Sequence, residues 1–178
     1  MKHNLISALF LFMCSTCIAQ TKNLSPIIPE ADGFVIIKNA KIQPDKKKVY
    51  KAIFDATKFS NDSSKILPTL NNAGSELNAL GVCGIPINHA KFIIVFHGAA
   101  INGILTNEHY KNKYGTDNPN LKVLSELKKS GVQLYVCGQN LLSENIDVKS
   151  ISPDITIASD ALIVLMTFQN EGYALMNY

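Results

Sequence analysis

The chain has 178 residues, 47% of them hydrophobic and 17% charged, with a formal net charge of +3, which suits one globular domain with a full core. All 17 basic residues are lysine, so the bidentate guanidinium clamps that usually grip phosphate are missing and no nucleic-acid partner is expected.

Lys2, the apolar run 5–13 and the small-residue end Cys17-Ile18-Ala19 read as an export signal over residues 1–19. The run is shorter than the roughly 20 residues a spanning helix needs. Cleavage after Ala19 predicts a periplasmic or secreted protein, with no membrane partner once the leader is gone. Lipid attachment at Cys17 is the alternative, although Cys14 occupies a position where a lipobox expects an aliphatic residue. Residues 20–48, with Pro26, Pro29 and Gly33, read as an extended arm, and residues 49–178 as the domain. Lys46-Lys47-Lys48 follows Pro44-Asp45 and reads as a solvated turn.

Residues 49–55 predict a first core strand. Leu67, Leu70, Ala73, Leu77 and Leu80 recur at helical spacing, closed by Gly81. Residues 91–96 form a second strand that ends at His97-Gly98. Asn118 as N-cap and Pro119 as first helical residue open a helix to Lys129. A third strand, 132–136, runs into Cys137. Residues 155–158 make a fourth, Ser159 caps a helix over 160–171, and 173–176 close the sheet. This alternation predicts a single three-layer α/β domain with a mostly parallel, roughly five-stranded sheet. The helix over 161–168 is apolar nearly all round, so its outer face meets either another subunit or a deeper core.

Cys83 and Cys137 remain after the leader is cut. Cys83 precedes a strand and Cys137 ends one, which puts them at opposite ends of the sheet, about 17–20 Å apart. A disulfide needs Cα atoms within about 7 Å, so Cys137 is expected to be a free thiol. It would lie at the carboxyl edge, where open α/β sheets place their ligands. A helix starting just after it would aim the backbone N–H groups of Gly138, Gln139 and Asn140 at the sulfur and favour thiolate. A packed structural cysteine is the alternative, and position alone leaves both open. His97 ends its strand as Cys137 does, so its imidazole is a candidate to take the thiol proton. A histidine bonded only to local backbone is the plainer reading of it. The loop between Gly98 and Gly103 is a weak anion signal. His97, His109 and Cys137 lack paired metal-ligand spacing, and no cofactor is expected. There is no Gly-x-Ser-x-Gly elbow and no Cys-x-x-Cys in the mature chain. What remains is a one-cysteine site, suited to carrying a group or sensing an oxidant.

Val95-Phe96-His97-Gly98-Ala99-Ala100, Asp117-Asn118-Pro119-Asn120, Gly131-Val132, Val136-Cys137-Gly138-Gln139 and Glu171-Gly172-Tyr173-Ala174 together resemble the DsrE/DsrF-like sulfur-relay family, in particular its exported members. The resemblance implies a flavodoxin-like domain that assembles into trimers or hexamers. It also implies a strand-end cysteine that accepts sulfur as a persulfide, and only Cys137 matches that position. It assigns no role to His97 and names neither sulfur donor nor acceptor. The function expected is an exported sulfur carrier or sulfurtransferase-like protein. The alternatives are a non-catalytic oligomeric binding module and a thiol redox sensor passing through sulfenic acid.

Overall fold

A computed structural model describes residues 23–177; the expected leader and its cleavage site lie outside the described residues. Five strands form the sheet: β1 (Tyr50–Ala56), β2 (Ala90–Phe96), β3 (Gln133–Cys137), β4 (Thr156–Ala158) and β5 (Ala174–Asn177). They lie in the order β4-β3-β2-β1-β5, and every neighbouring pair is parallel. The helices are α1 (Pro68–Val82), α2 (Asn107–Tyr114), α3 (Asn120–Lys129), α4 (Gly138–Ser143) and α5 (Ala161–Asn170).

Strand alternation divides the core in two. Phe54, Phe92, Ile94, Phe96, Leu134 and Val136 point to the side covered by α1 and α3. Ile53, Ile93, Val95 and Cys137 point to the other side, where Ala161, Val164 and Leu165 of α5 cover them. The three layers are therefore unequal, since on the second side one ten-residue helix packs over the middle of the sheet.

Local capping differs from the sequence reading at two helices. The α5 cap is Asp160, whose Oδ1 accepts from the N–H groups of Leu162 (2.7 Å) and Ile163 (3.3 Å). Ser159 stands one residue too early to reach them. Helix α3 begins at Asn120 with Pro119 just before it, yet Asn118 still acts as the cap by accepting from Asn120 N–H at 2.9 Å. Helix α2, absent from the sequence reading, starts at Thr106 and stops at Gly115, which takes φ +74°.

The segment before the domain is docked rather than free-standing. Leu24 and Phe34 bridge each other, and Ile28 and Ala31 are buried. Buried Asn78 of α1 accepts from Ile27 and Ile28 N–H (3.0 and 2.8 Å) and donates to the carbonyls of Ile28 and Asp32 (2.9 and 3.1 Å). Gly74 sits beneath the same turn, where a Cβ would come within 2.5 Å of Ala31 Cβ.

A second tie is ionic. Glu30 pairs with Lys122 of α3 and shares a hydrogen bond with Glu126. The bond to Lys122 is the main cause holding the Glu30 carboxyl below its ordinary value. Burial, then the bond and charge of Glu30, push Glu126 up. Glu126 thus binds its proton more tightly in the fold than in the open chain. Its contribution is complete below its ordinary value of 4.5 and is lost as pH rises through the raised folded value. Glu30 behaves oppositely, losing its contribution as pH falls through its depressed value. Glu126→Gln keeps a donor toward Glu30 without the second charge. It is expected to raise the melting temperature at neutral pH and to change nothing well below pH 4.5; thermal melts at the two pH values check this.

Candidate functional site

Three strand ends meet on the α5 side of the carboxyl edge. Asp55 is in phase with Ile53 on β1 and pairs in register with Val95. His97 continues β2 with extended backbone, φ −152° and ψ 179°, and its N–H donates to Ala56 O at 3.0 Å. Cys137 ends β3, one residue beyond the Phe96–Val136 pair, so His97 and Cys137 are neighbours on adjacent strands spaced about 4.8 Å apart. Alternation turns all three side chains to one face.

The shortest polar contact there is His97 Nε2 to Asp55 Oδ1 at 2.6 Å, with side chains 23% and 14% exposed respectively. The carboxylate fixes the ring and keeps the proton on Nε2, which leaves Nδ1 as the basic nitrogen of the neutral ring. His97 is therefore held by a side chain, not by local backbone alone. Asp55 went unnoticed in the sequence, where it reads as the polar end of an apolar strand. Its signal was phase: it falls two residues after Ile53, on a buried face.

Cys137 is 4% exposed and packs with Ile53, Val95, Val164 and Leu165. It is free, as is half-buried Cys83 at the end of α1, and the two stand at opposite ends of the sheet. Among the described residues Cys137 makes no hydrogen bond to His97. Cys137 is the N-cap residue of α4, so Gly138, Gln139 and Asn140 form the turn beside the sulfur, where N–H groups lack helical acceptors. That helix has only six residues, so local N–H groups rather than a long macrodipole are what the turn offers.

Two of these positions have structural duties as well. At Gly138 a Cβ would approach Ala158 O to 2.8 Å, so β4 and the α4 turn meet backbone to backbone. Asn140 Oδ1 accepts from Gly98 N–H at 3.3 Å, tying the turn after β3 to the turn after β2. Gly98 takes φ +52° and opens a 3-10 segment, Gly98–Ile104. Gly103 in that segment lies against Leu67, where a Cβ would come within 2.5 Å. The glycine-flanked loop is thus a packed corner, not a phosphate cradle.

Two clefts flank the edge. One of about 310 Å³ lies between α4 and β4, lined by Gly138, Leu141, Leu142, Val148 and Ile157. A larger one of about 720 Å³ opens over the loop after β1, lined by Thr57, Lys58, Phe59, Asp62 and Ala99. Hydrogen bonds from Ser64 hold the Asp62 carboxyl below its ordinary range. Deeper in, burial raises the Tyr110 phenol, whose hydroxyl donates to Ser63 O at 2.8 Å. His109 is occupied elsewhere, its Nδ1 lying 2.8 Å from Thr106 Oγ1. Among the described residues no cluster of three His, Cys, Asp or Glu side chains could hold a metal.

Comparison with known proteins agrees with this architecture. The chain resembles a solved structure of MTH1491 from Methanobacterium thermoautotrophicum, a protein of unknown function, at 18% identity and a TM-score of 0.52, covering 72% of this chain and 99% of that one. It also resembles the crystal structure of the ychN protein from E. coli, at 14% identity and a TM-score of 0.54, with the same coverage. At these identities the likeness is one of fold. No curated protein matches. The sequence model of the DsrE/DsrF-like family matches residues 48–178, the whole sheet with all its helices, and the chain belongs to that family.

Proposed function

We propose that the protein is an exported sulfur carrier of sulfurtransferase-like type in which Cys137 accepts sulfane sulfur. Family membership points to a sulfur-relay-related role. The observation that carries the reading is the convergence of Cys137 with the Asp55–His97 pair on one face of the carboxyl edge. Transfer balances without an outside oxidant or reductant. The Cys137 thiol gives its proton to His97 Nδ1, and the sulfur attacks the outer sulfur of a donor persulfide R–S–SH. The donor S–S bond breaks, and the leaving thiolate takes the proton back from His97. Cys137 then carries –S–SH and the donor is R–SH. The N–H groups at Gly138, Gln139 and Asn140 would favour the anionic sulfur.

We propose further that the protein is released after Ala19 and works as a trimer or hexamer. The outer face of α5, with Leu162, Ile163 and Met166 exposed, is the surface offered for assembly, and light scattering that reports a monomer would exclude it. Intact-mass analysis of protein purified from its own compartment without reductant tests the reading. A chain starting at or near Gln20, with one added sulfur on Cys137, is the expected result. Added oxygen would instead indicate a redox sensor. One observation favours the rival of a non-catalytic binding module, namely the near-complete burial of Cys137. An unmodified thiol that resists sulfane-sulfur donors would establish that rival.

A further inference from the structure

The opposite end of the sheet carries a surface that the sulfur chemistry does not use. Two hydrogen-bonded turns shape residues 36–48. In the first, Gln43 Nε2 donates to the carbonyls of Ile37 (2.9 Å) and Ala40 (3.0 Å), and Ala40 N–H donates to Ile37 O at 3.1 Å. In the second, Lys47 and Lys48 donate their N–H groups to Asp45 Oδ1 (2.9 Å) and Asp45 O (3.0 Å), while Asp45 N–H donates to Tyr50 Oη at 2.6 Å. These turns hold Ile36, Ile37 and Ile42 outward at 47%, 67% and 92% exposure.

Lysines 38 and 41 lie between those isoleucines in sequence and lysines 46, 47 and 48 follow them, and all five are exposed. The only acid within the segment, Asp45, turns a carboxylate oxygen to its own backbone. Ile42 and Lys48 share a cleft wall with Tyr50, Ala79 and Leu80, which places the knob where β1 begins and α1 ends. Lys91 opens β2 at the same edge, and Lys128 and Lys129 end α3 there. Asp45 and Glu76 are the acids lining that cleft, and Glu126 near the end of α3, Asp154 before β4 and Glu171 beyond α5 lie toward the same edge.

We propose that this basic, isoleucine-bearing knob docks the protein on an anionic lipid surface. Isoleucines that protrude this far can enter the layer between headgroups and acyl chains. Lysine suits the setting, because its long stem lies along apolar surface while the ammonium stays with phosphate. The knob lies almost wholly ahead of the family match, which begins at residue 48. It would add a partner to the solvated turn expected at Lys46-Lys47-Lys48 and depart from the expectation of no membrane partner. Docking by this end turns the Cys137 edge away from the lipid.

The chain contains no tryptophan, so Ile42→Trp in the full chain gives a single reporter at an exposed position. With vesicles of phosphatidylglycerol and phosphatidylcholine its emission is expected to move to the blue, and with pure phosphatidylcholine to stay unchanged. Adding Lys46→Glu, Lys47→Glu and Lys48→Glu should raise the lipid concentration needed for half the shift by at least about a hundredfold, since losing each of the three positive charges alone removes a factor of about five near an anionic surface and the glutamates add repulsion. The apolar run near the start of the chain is common to every variant, so only the knob's share changes. No shift with anionic vesicles, or an equal shift with both kinds that ignores the charge reversal, would overturn the proposal. So would a shift with polyglutamate but not vesicles, which would mark an acidic-peptide site. A shift that follows protein concentration alone would mark contact between copies.

Discussion

Cys137→Ala is expected to abolish sulfur loading from a sulfane-sulfur donor, whereas Cys83→Ala, at the far end of the sheet, leaves it intact. The two substitutions separate chemistry from general thiol content, since both cysteines are free. His97→Ala should slow loading by about 10²–10⁴-fold, the range of a positioned general base. Asp55→Asn retains the size of the side chain but removes the charge that favours Nε2–H, so a smaller loss of about tenfold is expected. Its effect should appear in the rate of loading rather than in the final amount loaded, because the ring loses the carboxylate that orients it. Loading rates followed by mass spectrometry decide this. If His97→Ala loads as fast as wild type, the Asp55–His97 pair is architecture and the sulfur works alone.

Asn78→Ala is expected to detach the arm. One buried side chain holds four backbone groups from Ile27 to Asp32. Removing it leaves buried donors and acceptors without partners, at about 1–3 kcal/mol for each group that cannot reach water. The arm can relieve that cost by lifting off, so the loss should level at about 2–4 kcal/mol. Hydrogen exchange at Ile27 and Ile28 should accelerate well before the sheet opens, and protease should cut the arm first. Unchanged exchange at those two amides would mean that packing of Ile28 and Ala31 against Gly74 holds the arm without help.

The strands were legible because each is a compact apolar run bounded by glycine or a polar turn, and their order of appearance fixed a parallel arrangement. Cys137 and His97 stood out because both sit where such a run stops. Asp55 did not, because a carboxylate at the end of a strand is ordinary until its phase with Ile53 is noticed. Helix α2 was hidden by composition: Tyr110 is its one buried residue, so no apolar period exists to detect, and only Thr106 and Gly115 marked its ends. Asn78 was opaque for another reason. On a helix carrying Leu70, Leu77 and Leu80 it reads as a polar interruption, and its four partners lie about 50 residues away.

The burial of Cys137 in one cluster with Val164 and Leu165 would set a clock as well as a boundary for any sulfur chemistry there. A group reached only when the helix above it stands off reacts at a rate equal to its intrinsic reactivity multiplied by the fraction of time the cover is open. Fleeting collisions with a diffusing oxidant then mostly fail, while a partner that stays bound through many openings succeeds. Discrimination would rest on residence time, so that the same sulfur is inert toward passers-by and available to whatever lingers.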